Sequence, residues 1–420
     1  MIRAPKGTRD ILPPSSAVWS FVERRASEIC RAYNYHEIRT PVFEETLLFA
    51  RGVGEETDIV TKEMYTFEDR DGASLTLRPE CTASVIRAYI EHRLDQQPGL
   101  LKLYYMGPMF RRERPQKGRY RQFFQIGAEA IGSESPAVDA EVIELAMEIL
   151  GGVGVEGATL LLNSVGCLNC RPRFVAALRE RLKVVAPKMC ADCRRRVDSN
   201  PLRVLDCKVE SDQTIIEKLP SVLEHLCADC REHFDAVRAY LGDRGISYEL
   251  RPRLVRGLDY YMRTTFEIVH GALGAQNAVC GGGRYDGLAE ALGSKVHSPG
   301  IGFSIGQDRL VMTLEETRPG AHAPALDVFM VPMSEPAFRR LSVVARDLRK
   351  QGRTVELPPE TRLKRGLELA NKLGARYALI VGDDEIASET YLLKDMATGE
   401  QETVSLSGLY ERLNLKLSYA

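Results

Sequence analysis

Hydrophobic positions change period along the chain, and the changes divide it. In SSAVWSFVERRASEICRAY (15–33), Val18, Phe21, Val22, Ile29 and Tyr33 recur near helical spacing, which predicts an amphipathic helix. The next stretch, EIRTPVFEETLLFARGVGEETDIV, opens strand-like, with Pro41 breaking any helix. MYTFEDRDGASLTLR (64–78) reads as a hairpin turning at Asp71-Gly72. LYYMGPMFRRE (103–113) and RQFFQIGAEAIG (121–132) read as two more strands, joined by the polar loop RPQKGRY. Gln125, Gly127 and Glu129 fall at strand period, so they share one face. Mostly antiparallel strands with helices between or beside them predict an α+β domain, not a doubly wound one.

A helical, cysteine-rich block follows at about 165–245. The strand pattern resumes at Tyr248 and continues to about 313. TRPGAHAPA (317–325) reads as a linker. Beyond it the pattern becomes strand–helix–strand–helix–strand: DVFMVPM, EPAFRRLSVVARDLRKQG, TVEL, LKRGLELANKLGA, YALIVGD. That alternation predicts a small α/β domain with a largely parallel sheet. The expected layout is a first domain over 1–316 carrying an insertion at about 165–245, a linker over 317–326, and a second domain over 327–420.

Composition narrows the partners. Of 420 residues, 44% are hydrophobic and 27% charged, and the net charge is −1. A chain near neutrality has no blanket attraction for nucleic acid, so RNA contacts require a local basic face. The first residues, MIRAPKGTRDILPP, lack the apolar core of a signal peptide, and no run of 18 apolar residues occurs. The expectation is a cytoplasmic protein, no membrane partner and reduced cysteines.

Two phosphate motifs compete. GGVGVEG (151–157) contains G-x-G-x-x-G, but it follows a helical pattern and precedes a strand-like one. A dinucleotide fingerprint needs the reverse order, so the stretch reads as a helix-to-strand loop. The loop RRERPQKGRYR (111–121) carries six basic residues between predicted strands, with Phe110 and Phe123-Phe124 beside it. Arginine forks bind phosphate oxygens and the aromatic rings can stack on a base, although a basic loop is equally at home as a solvated surface. RGLDYYMRTTFEIV (256–269) places Arg256 and the pair Tyr260-Tyr261 at the start of a strand-like run. By itself a tyrosine pair is ordinary core packing.

Of ten cysteines, seven lie between 167 and 230. Cys167-x-x-Cys170 and Cys190-x-x-Cys193 have the spacing of a structural zinc site, and Cys227-x-x-Cys230 pairs with Cys207 or stands alone. Separate thiols or a regulatory disulfide are the alternatives.

TLRPECTAS (76–84), FRRERPQKGRYRQFFQIGAE (110–129), RGLDYYMRTTFE (256–267), GGGRYDGL (281–288) and GIGFSIGQDRL (300–310) together resemble the successive motifs of the histidyl-tRNA synthetases, class II aminoacyl-tRNA synthetases. KGTRDILP and LELANKLGARYALIVGDDEIA are similar to the bacterial form, and the likeness covers nearly the whole chain. It implies a catalytic core with a six-stranded antiparallel sheet, a helical Cys-rich insertion, a C-terminal α/β anticodon-binding domain and a homodimer. It also implies two reactions: L-histidine and ATP give histidyl-adenylate and pyrophosphate, and the histidyl group then passes to tRNA(His).

The same resemblance implies roles for residues. Arg111, Arg256 and Arg309 are implied around the α-phosphate, the histidine carboxylate and the γ-phosphate. Glu113, Arg121 and Phe123 are implied on ATP, with Mg²⁺ bridging its phosphates. Glu80, Thr82 and Gln125 are implied at the α-amino group, and Glu129, Tyr260, Tyr261 and Tyr285 around the imidazole. Gln116 is implied at the tRNA acceptor end. Two departures stand out. Cys81 replaces a small residue between Glu80 and Thr82, which raises the expectation of a modifiable thiol near the pocket. GQDR puts Asp308 where a glutamate is commoner. Basic residues from Arg339 to Lys372 suit phosphate contacts by the C-terminal domain. The rival reading is a non-catalytic relative such as the regulatory subunit of ATP phosphoribosyltransferase, against which stand the three arginines and the C-terminal domain.

Overall fold

The computed structural model describes residues 2–207, 209–271, 278–320, 326–359 and 362–418. The chain divides into two compact units, 1–322 and 323–420. Half of the expected linker, 321–325, lies outside the described residues, and Thr317 still belongs to a helix.

Unit one holds β1 (His36–Glu37), β2 (Phe43–Glu45), β3 (Tyr65–Glu68), β4 (Ser74–Leu77), β5 (Leu101–Phe110), β6 (Gln122–Ile131), β7 (Thr159–Ser164), β8 (Tyr248–Leu250), β9 (Met262–Val269), β10 (Ala278–Arg284) and β11 (Gly300–Gly306). Eight of them form one sheet in the order β1-β5-β6-β11-β10-β9-β7-β8. The six central strands pair antiparallel throughout, as the resemblance implies. The two short outer strands pair parallel, so the whole sheet is mixed. The predicted hairpin is β3–β4, and with β2 it makes a separate three-stranded sheet.

Strand alternation decides what each face carries. On β6, Ile126, Ala128 and Ala130 point into the main core, where they meet Trp19, Val22 and Ala26 of the helix Ser15–Ala32 and Ile143, Ala146 and Ile149 of the helix Pro136–Gly152. Gln125, Gly127 and Glu129 take the other face. On β5 the split is the same: Tyr104 joins the main core, while Leu103 and Tyr105 pack with Val85, Ile86 and Tyr89 of the helix Thr82–Glu91. GGVGVEG spans the end of Pro136–Gly152 and the loop before β7, as its context predicts.

The strand pattern does not run to 313. It ends with β11, and Gln307–Thr317 is a helix. Leu310, Val311 and Leu314 are buried at helical spacing, a period masked by the preceding β-like GIGFSIG. Among the described residues the insertion has four α-helices, Arg171–Val185, Ala191–Ser199, Glu210–Ile216 and Ala228–Asp243, with three short 3-10 turns between them.

Unit two contains β12 (Leu326–Pro332), β13 (Val355–Glu356), β14 (Ala375–Val381), β15 (Thr390–Asp395) and β16 (Gln401–Ser405), ordered β13-β12-β14-β15-β16. The first three are parallel as predicted, and β15 and β16 add antiparallel strands, so this sheet is mixed. The helix Glu335–Lys350 buries Leu341, Val344 and Leu348 against it.

Candidate active site

The site grows from the polar face of β6. Its register sets Gly302 opposite Glu129, Ser304 opposite Gly127 and Gly306 opposite Gln125. A Cβ on Gly302 would overlap the Glu129 carboxylate, so the glycine is what gives that carboxylate room. Glu129 is fully buried and accepts hydrogen bonds from Thr82 Oγ1 at 2.7 Å and from the Tyr285 hydroxyl at 2.6 Å. Burial pushes its pKa up to about 8, against the lowering effect of those two donors.

Glu80 lies beside it. Its carboxylate accepts the backbone N–H groups of Thr82 at 2.8 Å and Ala83 at 2.9 Å, two donors that the start of the helix Thr82–Glu91 would leave unpaired. Burial raises its pKa also. Tyr260 stacks obliquely on Tyr261, ring centroids 4.7 Å apart, and meets Tyr285 edge-on at 6.0 Å. Gln125 Oε1 and Ser304 Oγ are buried on the same cavity wall without a hydrogen-bond partner among the described residues, which is costly unless a ligand supplies one. Cys81 does not behave as the modifiable thiol the sequence suggested. It is fully buried beside Thr40 Oγ1 at 3.3 Å, and burial pushes its thiol up to about 12.

The other end of the cavity is cationic. Arg111 donates from Nε to the Pro79 carbonyl at 2.9 Å and stands over the Phe123 ring, 5.4 Å from its centroid. Glu113 is held by Arg119 at 3.0 Å and lies 3.9 Å from Arg111. Arg256 pairs with Glu267 and lies over β10 at Gly281, where a Cβ would overlap its guanidinium. Arg309 donates to the Ala278 carbonyl at 2.7 Å and to the Gly118 carbonyl at 3.3 Å. Asp308 accepts from Arg9 at 2.9 Å and from the Phe124 N–H at 2.8 Å. It therefore ties the N-terminal KGTRD segment to β6.

These groups line one cavity of about 640 Å³. Glu80, Thr82, Arg111, Glu113, Phe123, Gln125, Arg256, Tyr260, Tyr261, Tyr285 and Arg309 all face it, and Glu129 lies directly beneath. Arg121 and Gln116 are not in its lining. Arg121 packs against Gly7, while exposed Gln116 bridges to Arg119 across the loop. Tyr105, Glu267 and Ser304, which were given no role from the sequence, also face the cavity, as does Arg119 of the basic loop. Glu267 and Ser304 lie inside motifs already singled out, and their strand period was the available clue. The insertion contributes Asp206, Cys207 and Gln213, which no local pattern marks.

The cysteines group differently from the expected site. Cys167 and Cys170 converge with Cys227 and Cys230, whereas Cys190 and Cys193 converge with Cys207 and Asp212. Chain spacing favoured joining the first two pairs; the fold instead brings together the starts of the helices Arg171–Val185 and Ala228–Asp243.

The model of the family described as "Histidyl-tRNA synthetase" matches residues 7–310, and that of "Anticodon binding domain" matches 327–415. The chain belongs to the histidyl-tRNA synthetase family. A histidine–tRNA ligase of Solibacter usitatus is 69% identical over 414 residues, covering 99% of both chains. That of Koribacter versatilis is 56% identical, covering 97% of this chain and 95% of its own. The crystal structure of the apo histidyl-tRNA synthetase of S. aureus superposes with a TM-score of 0.81 at 39% identity, covering 98% of this chain and all of that one. A histidyl-tRNA synthetase from Nostoc, at 22% identity and a TM-score of 0.75, shares the fold. The activity is accordingly that of a class II aminoacyl-tRNA synthetase, which ligates histidine to tRNA. The regulatory-subunit reading is set aside. Among the described residues no helix is long and apolar enough to cross a membrane.

Proposed function

We propose that the buried end of the cavity selects L-histidine and that the three arginines carry its adenylation. The observation that supports this reading most is the Glu129 carboxylate, buried and doubly hydrogen-bonded beneath a cavity that also holds Arg111, Arg256 and Arg309. Histidine offers a ring with one donor and one acceptor. A site that binds both leaves buried groups unpaired when an apolar analogue enters, which is the strongest basis for rejection. Glu129, Tyr260, Tyr261 and Tyr285 surround the imidazole, and Glu80, Thr82 and Gln125 receive the α-ammonium.

The histidine carboxylate is ionised at neutral pH, so it needs no general base. One of its oxygens attacks the α-phosphorus of ATP in line. The bond to the bridging oxygen breaks, and pyrophosphate leaves with the electron pair. Arg111 and Arg256 flank that centre and stabilise the charge developing on the α-phosphate. Arg309 receives the γ-phosphate, and Phe123 stacks on adenine while Glu113 accepts from its amino group. Arg121 orders the loop end through its backbone bonds to Arg111 and Gly7. Mg²⁺ keeps much of its water shell and needs few protein carboxylates. The half-buried Glu267 fits that modest demand and would help hold the ion, which would supply neutralisation of phosphate charge. A ribose hydroxyl of the terminal adenosine of tRNA(His) then attacks the histidyl carbonyl carbon, the bond to the phosphate oxygen breaks, and AMP and the hydroxyl proton leave, with Gln116 at the acceptor end and the C-terminal domain on the anticodon. The working form is a homodimer in the cytoplasm.

ATP–pyrophosphate exchange with each of the twenty amino acids tested singly examines this reading. Exchange with histidine alone is the expected result. No exchange from folded protein with Mg²⁺ present would overturn it.

A further inference from the structure

Seven insertion cysteines take no part in the chemistry above. All are free thiols, and the fold collects them into two groups. In each group the ligand atoms lie within 4.8 Å of one another. In the first, Sγ–Sγ separations are 3.7 Å for Cys167–Cys170, 3.8 Å for Cys167–Cys227 and 3.8 Å for Cys170–Cys230. In the second, Cys190 and Cys207 are 3.8 Å apart. Zinc–sulfur bonds of about 2.3 Å directed to a tetrahedron give edges of about 3.8 Å. A disulfide would need about 2.05 Å. Thiols buried merely as small hydrophobes would seek apolar neighbours, not three other sulfurs.

The backbone is arranged for the same end. Cys170 Sγ accepts the N–H of Cys167 at 3.1 Å, and Cys167 Sγ accepts that of Asn169 at 3.4 Å. Such bonds stabilise thiolate charge and orient ligands. Gly166 has φ +67°, and a Cβ there would sit 2.6 Å from Cys170 Sγ. In the second group the Asp212 carboxylate accepts the Cys190 N–H at 3.1 Å from Oδ2 and 3.2 Å from Oδ1, and its Oδ2 lies 3.4 Å from Cys207 Sγ. One oxygen can ligate while the other keeps the backbone bond.

We propose that the insertion is built around two zinc ions, one held by Cys167, Cys170, Cys227 and Cys230, the other by Cys190, Cys193, Cys207 and Asp212. Soft sulfur donors in a tetrahedral set select zinc, and four protein ligands leave no open position, so both ions are structural. The first clamps the insertion where it leaves and rejoins the sheet, three residues after β7 and at the start of the helix leading to β8. Arg171, next to Cys170, donates to the Tyr261 carbonyl and carries that clamp to the tyrosine pair. The second ion fixes Cys207, whose carbonyl accepts from Gln213, and both residues line the reactant cavity.

Elemental analysis of the full chain, purified without chelator, tests this independently of activity. Two zinc atoms per chain are expected. Cys227→Ser and Cys193→Ser should each retain one, and the double variant none. Where a variant fails to fold, Co²⁺ exchanged into the native chain gives a second readout. Two equivalents should bind with intense thiolate-to-cobalt charge-transfer bands. Less than a tenth of an equivalent of zinc, or iron in its place, would overturn the proposal. A count of one, lost with Cys227→Ser but not with Cys193→Ser, would overturn the second ion.

Discussion

The two ends of the cavity are built on opposite plans. At the buried end, Glu129 on β6 accepts from Thr82 at a helix start and from Tyr285 just past β10, and Gly302 and Gly300 of β11 leave room for the carboxylate and the ring. At the cationic end, Arg111, Glu113 and Arg119 stand on a loop, partly exposed, and hold one another by longer or screened contacts. The first region is preorganised for one small ligand. The second is a set of charges that a polyphosphate can regroup. Selectivity by unpaired groups requires the first plan, because a mobile pocket could relax around the wrong ligand. Charge stabilisation tolerates the second, provided the arginines close to the α-phosphate are anchored.

Arg256 tests that proviso, since it is half-buried, held by the Glu267 pair, and stands above Gly281. In the proposed reaction, Arg256→Ala removes a transition-state cation and strands Glu267. Histidine-dependent exchange should fall about 10³-fold, mostly in kcat. A drop confined to KM would place Arg256 in ground-state binding instead.

Glu129→Gln keeps shape and removes ionisation, and a loss of about 10²-fold in kcat/KM for histidine is expected. The native pH profile should be bell-shaped. Free imidazole titrates near about 6.5, and Glu129 titrates at about 8. Between those values the ring is neutral and the carboxyl keeps its proton, so the carboxyl can donate to the acceptor nitrogen of the ring. Below the window the imidazolium has no acceptor nitrogen, and above it the carboxylate has no proton to donate. The substitution should abolish the alkaline limb. A profile unchanged by Glu129→Gln would break the link between that carboxylate and the ring.

The same group makes a stability prediction. Its folded pKa stands above the ordinary value of 4.5, so between pH 4.5 and about 8 the folded chain keeps a proton that the unfolded chain has released. Ligand-free stability should therefore decline with rising pH across that window, by up to about 1.4 kcal/mol per unit from this group. Asp139, raised to about 7 chiefly by burial, contributes with the same sign up to its own pKa. Urea midpoints against pH should show the decline, and Glu129→Gln should flatten it in part.

How much of this the sequence carried differs between the two ends. Period-two alternation on β6 was enough to put Gln125, Gly127 and Glu129 on one face, because a strand has no other way to orient them. The tyrosine pair was ambiguous alone and took its meaning from surrounding motifs. What local pattern could not give was long-range closure. Cys227 and Cys230 lie some sixty residues from the pair they join, and nothing in their spacing prefers Cys167 to Cys190. The wall formed by Asp206, Cys207 and Gln213 is hidden for the same reason: it depends on how the insertion folds back. The helix Gln307–Thr317 was hidden differently, by a strand that runs into it without a break in polarity.

The smallest effect belongs to the loop. Arg119 is 42% exposed and pairs with Glu113 at 3.0 Å. An exposed pair of this kind contributes about 0.2–1 kcal/mol, which corresponds to a factor of roughly 1.4–5. Arg119→Ala should thus change KM for ATP by less than about fivefold and leave KM for histidine alone, with the change shrinking as salt is raised. The two plans make this asymmetry necessary. A charge on a loop is one of several that phosphate oxygens can recruit, so its loss is shared among Arg111, Arg309 and solvent. A buried carboxylate has no substitute. If Arg119→Ala instead matched Glu129→Gln in size, the loop would have to be as fixed as the strands, and the contrast between the two ends would fail.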